Sequence, residues 1–233
     1  MYLTLAQSDF STTEISDALI KLGVSYGGHI PDIHRISPHS RSESGAQGVR
    51  LCGPAYTVRI VLASDRVAPK LQQGHFVDLA PEGSVAFVSA PPGAQNAVWG
   101  GLMTAGAQAR GVLGAVVSGR VRDVAEHQAA GFSVFARGTS TVGQAPFTRA
   151  AEVQVPVAVN VDSLQHGGLP AVTVNPGDFL VADDNGVVCV PKQLEKEVLR
   201  LASDGREVDA RCLRDIQSGI GVAESFRRHR GKL

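Results

Sequence analysis

"GGLMTAGAQARGVLGAVVSGRVRDVAEHQAAG", residues 100–131, decides how this chain folds. A Gly-Gly pair feeds a helical stretch that closes near Gly111. "VLGAVVSG" then reads as a strand fit only for burial. Arg122 and Asp123 follow at once, and "RDVAEHQAAG" reads as a short helix ended by Gly131. Helix, buried strand and helix in so little chain predict layered α/β packing. The charged pair falls where the strand gives way to a helix. Such junctions aim side chains into a crevice at the ends of strands. Asp123 and Glu126 also have capping-box spacing, so on position alone Asp123 reads equally as a helix N-cap and Arg122 as a surface charge.

Working outward, "STTEISDALIKLG" before this block predicts a helix. Ser11 and Glu14 have capping-box spacing, Ile15, Ala18, Leu19 and Leu22 share one face, and Gly23 suits the stop. The Ser-rich stretch 36–48 predicts a loop. "VRLCGPAYTVRIVLA" (49–63) predicts strand interrupted at Gly53-Pro54, and "SVAFVSAP" a short buried strand. "FSVFARG" predicts another strand. After residue 154 the chain turns β-rich, with turns at Asn175-Pro176-Gly177 and Asp184-Asn185-Gly186. From Lys192 onward it is helical and charged, with Leu194, Val198 and Leu201 on one face. The expected architecture is a sandwich of sheets flanked by helices rather than a doubly wound nucleotide fold. No linker divides it, so residues 1–233 read as a single domain with a helical C-terminal extension from about residue 192.

Composition narrows the function. Lys plus Arg (22) balance Asp plus Glu (22), which leaves no net field to recruit nucleic acid or an anionic membrane. Three cysteines, Cys52, Cys189 and Cys212, lack paired spacing, which argues against a disulfide framework or a zinc site. No uninterrupted apolar run approaches the roughly 20 residues of a membrane helix. The opening "MYLTLAQSDF" lacks the pattern of a secretory signal. A cytoplasmic protein is the expectation.

Chemistry concentrates at two places. Gly100 and Gly101 allow close backbone approach, and the amides of Leu102 and Met103 lie unpaired at a helix start. Unpaired amides and the helix dipole suit a carboxylate or phosphate, although a Gly-Gly turn chosen for packing reads as well. Arg122-Asp123 is the second place. His127 either faces that site or is solvated, His166 reads as loop, and Asp178, Asp183 and Asp184 read as turn residues. No P-loop, dinucleotide fingerprint or Ser-His-Asp arrangement is legible.

Taken together, "STTEISDAL", "GPAYTV", the block 100–138 and "VNPGDFLVADDNGVVCVP" resemble the class II 4-hydroxy-4-methyl-2-oxoglutarate aldolases and the related RraA-like proteins, regulators of RNase E activity. "YGGHIPDIHRISP" and the charged C-terminus resemble a fungal-type branch. The resemblance implies an αββα sandwich assembled as a homotrimer or hexamer. It implies that the backbone of Gly100, Gly101, Leu102 and Met103, together with Arg122, holds a small 2-oxo acid (pyruvate, oxaloacetate or 4-hydroxy-4-methyl-2-oxoglutarate). Asp123 is implied as ligand of a divalent metal, Mg2+ or Mn2+. The implied activity is C–C cleavage to pyruvate, by aldol cleavage or by oxaloacetate decarboxylation, through a metal-stabilised enolate. The alternative is a non-catalytic, protein-binding regulator. One departure stands out: the family commonly has an acidic residue where this chain has Gly101, and Glu195 and Glu197 are the candidate replacements.

Overall fold

The computed structural model describes residues 4–38, 50–72, 74–159 and 172–230. Most of the Ser-rich stretch and His166 lie outside the described residues. In chain order the elements are α1 (Thr12–Lys21), β1 (His29–Ile30), β2 (His34–Ser37), β3 (Leu51–Leu62), β4 (Val85–Ser89), β5 (Ala97–Trp99), α2 (Gly101–Ala109), β6 (Gly114–Val121), α3 (Val124–Ala129), β7 (Ser133–Thr139), β8 (Thr148–Val153), β9 (Val157–Val159), β10 (Val172–Val174), β11 (Phe179–Asp183), β12 (Gly186–Val190), α4 (Glu195–Gln217) and α5 (Val222–His229).

Among the described residues a ten-stranded sheet runs β1-β12-β11-β3-β4-β6-β7-β2, with β5 paired to β6 and β8 to β3. Its centre, β3-β4-β6-β7, is parallel, as the helical crossover between β6 and β7 requires. β3 runs unbroken through Gly53-Pro54, contrary to the interruption expected there. What changes at Pro54 is the partner: residues 51–54 pair with β11, and residues 55–59 pair with β4. Proline has no N–H for a ladder, so it sits where one ladder ends and the next begins.

Strand alternation builds the layers, because successive side chains point to opposite faces. Val85, Phe87, Val116 and Phe135 meet Leu180, Ala182, Val187 and Cys189 in a core between the two halves of the sheet. Their neighbours Ala86, Val88, Ala115, Val117, Val134 and Ala136 face Ala107 of α2 and Phe76, Val77 and Trp99. On the far side Val181, Val188 and Val190 face Ile15 and Leu19 of α1 and Val198 and Ala202 of α4. The order of layers is helix, sheet, sheet, helix: the αββα arrangement.

α1 begins as expected. The Ser11 hydroxyl accepts from the Glu14 amide at 3.3 Å, and the Ser11 amide donates to Glu14 Oε2 at 2.8 Å. Arg206 of α4 locks onto the same place, donating through Nε to Glu14 Oε1 at 2.5 Å and through Nη1 to Asp9 Oδ1 at 2.6 Å. Its guanidinium lies over the Phe10 ring, 4.3 Å from the centroid. No helix among the described residues is long and apolar enough to cross a membrane.

Candidate active site

The block 100–131 brings two turns together at one edge of the sheet. The first joins β5 to α2. Gly100, the N-cap of α2, is extended, with φ −148°, and has no side chain of its own to cap the helix that follows. The second joins β6 to α3. Asp123 stands there in the left-handed region at φ 62°, ψ 42°, and its side chain does not cap α3. This corrects the reading of Asp123 and Glu126 as a capping box. An Asp tolerates left-handed backbone better than most side chains, and such conformations gather at functional sites.

The turn sends the Asp123 carboxylate across to the other helix. Its Oδ2 accepts from the amide of Gly101 at 3.0 Å and lies 3.4 Å from Arg122 Nε. Both contacts fall on one oxygen, and Oδ1 has no protein partner among the described residues. At the start of α2 the amide of Gly101 is thus occupied, whereas those of Leu102 and Met103 have no side-chain acceptor among the described residues. The Arg122 amide donates to the Trp99 carbonyl at 3.0 Å, so the two turns are also joined through their backbones.

Three glycines make room for three charges. A Cβ on Gly100 would lie 2.6 Å from Asp123 Oδ2 and 3.3 Å from Arg122 Nε. A Cβ on Gly143, in the loop between β7 and β8, would lie 2.7 Å from Arg122 Nη1. A Cβ on Gly101 would lie 1.5 Å from Glu126 Oε2. The charged side chains are laid on backbone where any other residue would push them away.

Below the surface, a buried chain of hydrogen bonds ties the two turns. Trp99 Nε1 donates to Thr104 Oγ1 at 2.9 Å, and Thr104 Oγ1 is 3.0 Å from His127 Nδ1. His127 is therefore neither solvated nor in the site, but fully buried beneath it. Burial pushes its imidazole below the usual pKa, against the opposing pull of the Arg122 carbonyl and the charges of Asp123 and Glu126. A neutral ring is the state that the fold holds.

The fold and the turns carry a family signature. A family model described as RraA-like (Aldolase/RraA) matches residues 12–189. The chain belongs to the RraA-like family. This RraA-like chain is 30% identical over 215 residues to protein DlpA of Legionella pneumophila, matching 92% of its own length and 32% of that protein. It thus spans about a third of the Legionella protein. A protein of Halalkalibacterium halodurans named "Putative 4-hydroxy-4-methyl-2-oxoglutarate aldolase" is 29% identical over 177 residues, 76% of this chain and 77% of that one. The crystal structure of an uncharacterized protein from Pseudomonas syringae pv. tomato superposes with a TM-score of 0.73 at 30% identity, covering 96% of this chain and 99% of that one.

Within the RraA-like fold, the donor set at Asp123 is all oxygen and anionic. No group of three or more His, Cys, Asp or Glu side chains that could hold a metal ion is assembled among the described residues. A hard cation of the Mg2+ class takes one or two carboxylates and completes its shell with water and substrate oxygens, so the unbonded Oδ1 of Asp123 fits such an ion. Neither candidate replacement for the acid at position 101 is brought here within the chain. Glu195 Oε1 accepts from the Leu5 amide at 2.9 Å, and Glu197 pairs with Arg200, both on the opposite helical layer. The second acidic group that reaches Gly101, beside Asp123, is Glu126, which the capping pattern concealed. The only sequence signal for it was the pairing of a glycine at 101 with a glutamate one turn past Asp123.

Proposed function

We propose that this chain is a divalent-metal-dependent lyase that cleaves C–C bonds of 2-oxo acids to give pyruvate. The observation that carries the reading is the Arg122–Asp123 turn, whose carboxylate caps α2 rather than its own helix. The name of the Halalkalibacterium relative supports the aldolase class. Arg122, with a side chain 47% exposed, has Nη donors to offer a substrate carboxylate in two-pronged fashion. The amides of Leu102 and Met103 and the positive end of α2 add to the same anion-binding face, and Gly100 lets the substrate reach it. Asp123 would hold Mg2+ or Mn2+ through Oδ1, while Gly101's amide fixes its orientation. The cation, when bound, polarises the 2-oxo group and favours the enolate. Arg122 offsets the negative charge that develops as the bond breaks.

Two substrates fit. Cleavage of 4-hydroxy-4-methyl-2-oxoglutarate would give two pyruvates, and oxaloacetate would give pyruvate and carbon dioxide. The same proposal takes residues 1–233 as one RraA-like domain of the fungal-type branch, with its helical C-terminal extension, working in the cytoplasm as a homotrimer or hexamer. Leu102, 82% exposed beside the site, is an apolar surface that a subunit contact would cover. The balanced charge argues against nucleic acid or membrane as a partner.

The test is pyruvate release from oxaloacetate with Mg2+, with Mn2+ and with a chelator. The lyase reading expects release with either metal and its loss on chelation. A non-catalytic regulator expects, under all three conditions, no release beyond that of a protein-free control with the same metal or chelator, and that result would overturn the proposal.

A further inference from the structure

Glu126 is an exposed carboxylate with no structural task among the described residues: no hydrogen bond or ion pair holds it, and the capping bond it would make to α3 is absent. It lies over Gly101. Oε2 lies 1.5 Å, Cδ 2.5 Å and Cβ 3.1 Å from where a Cβ on Gly101 would stand. The carboxylate therefore fills the volume that any side chain at 101 would need. Gly101 is flanked by two acids at once: Asp123 takes its amide and Glu126 lies over its Cα. Arg122 completes the group from the Asp123 side. Asp123 Oδ2 is committed to that amide and to the guanidinium, and the reading above gives Oδ1 to the cation, which leaves Glu126 as the carboxylate of this group to exchange a proton.

From this placement we infer that Glu126 is the acid–base residue of aldol cleavage, and that it fits the site to 4-hydroxy-2-oxo acids. The inference rests on the lyase reading above. Aldol cleavage has a requirement that decarboxylation lacks, because a hydroxyl must lose its proton as the bond breaks. Glu126 takes the proton from the C4 hydroxyl, and the C4–O bond becomes a carbonyl. The C3–C4 bond breaks, and its electron pair enters the C2–C3 enolate. The proton on Glu126 then passes to C3, which becomes the methyl group of pyruvate, and Glu126 is again a carboxylate. In oxaloacetate the C3–C4 pair is released by loss of carbon dioxide with no hydroxyl to deprotonate, and solvent can supply the proton to C3.

The experiment compares the two reactions on the full chain, with Mg2+, in wild type, Glu126→Gln, and a relocated-acid variant carrying Glu126→Ala with Gly101→Asp. Melting curves on each verify the fold. For Glu126→Gln the loss of kcat in 4-hydroxy-4-methyl-2-oxoglutarate cleavage should exceed the loss in oxaloacetate decarboxylation by about 10²-fold, the usual contribution of a positioned acid–base group. The relocated acid should recover part of the aldol rate, because the volume vacated by Glu126 is the one an aspartate side chain at position 101 would enter. Equal losses in both reactions, or an aldol rate that survives Glu126→Gln, overturn the assignment. A wild-type chain that decarboxylates oxaloacetate but never cleaves the aldol substrate overturns it too, while leaving the lyase reading standing. A wild type inactive in both removes the lyase reading, and this inference with it.

Discussion

At Ser11 and again at Asp123 the chain places a capping residue three positions before a glutamate, and the two sites use their side chains in opposite ways. Ser11 and Glu14 bond each other's backbone amides and finish α1 locally. The same helix end gains a further acceptor, since Asp183 accepts from both the Thr12 amide and hydroxyl, at 2.8 and 2.7 Å. Asp123 and Glu126 leave α3 without a side-chain cap and are aimed at Gly101, on the neighbouring helix. The difference lies in the backbone. Ser11 is extended at φ −69°, ψ 162°, which turns its hydroxyl onto its own helix, whereas Asp123 is left-handed and turns its carboxylate away. Ser11 is satisfied where it stands, whereas Asp123 is held in the left-handed region with an oxygen to spare, as the proposed chemistry requires.

The strongest way to break this contrast is Asp123→Asn. Asn tolerates the left-handed region and can still accept from Gly101, so the melting curve should not move. Metal-dependent oxaloacetate decarboxylation should fall by about 10²–10³ in kcat, the usual cost of losing an electrostatic partner of the transition state. A Gly100→Val variant should come next. Its Cβ would crowd Asp123 Oδ2 and Arg122 Nε. Displacement of that kind should lower kcat/KM by about 10–10²-fold, measured in the same assay, with the fold intact by circular dichroism.

How much of this was open to sequence reading divides along the same line. The helix at Ser11, the buried strand after Gly111 and the Gly100-Gly101 start of α2 follow from periodicity and turn residues, which are local. Arg122 and Asp123 stood out because charge interrupts an apolar run. What spacing could not reveal was the backbone at Asp123 and its bond to an amide 22 residues away. Glu126 was hidden for a related reason, because its local pattern is satisfied equally well by a cap that does not form. His127 reads from sequence as facing the site or solvated, and only its packing with Thr104 and Trp99 shows that it is interior. The handover at Pro54 depends on which strands lie to either side, and no motif records that.

Smaller effects sharpen the comparison from the other side. Ser11→Ala should cost about 1 kcal/mol of stability by chemical denaturation and leave lyase activity alone, since α1 lies on the layer opposite the site. The smallest expected effect is in acid. Arg206, donating to Glu14, holds its carboxyl at about 2 against an ordinary value of 4.5. A depressed carboxyl stabilises the fold above its unfolded pKa and loses that contribution as pH falls toward the folded one. Arg206→Gln should therefore narrow the gap in stability between wild type and variant as pH drops from about 4.5 toward 2, read from melting points across that range. A gap that stays constant would show that Arg206 acts only through its packing on Phe10.

The central claim is that Asp123 serves the site and not its own helix, and metal binding tests it without relying on turnover. Mn2+ titrated into wild type, Ser11→Ala and Asp123→Asn can be followed by the electron paramagnetic resonance signal of the unbound ion, beside a melt of each protein. The account predicts saturable binding in wild type and in Ser11→Ala, and its loss in Asp123→Asn with an unchanged melt. Equal Mn2+ affinity in Asp123→Asn and wild type would contradict it.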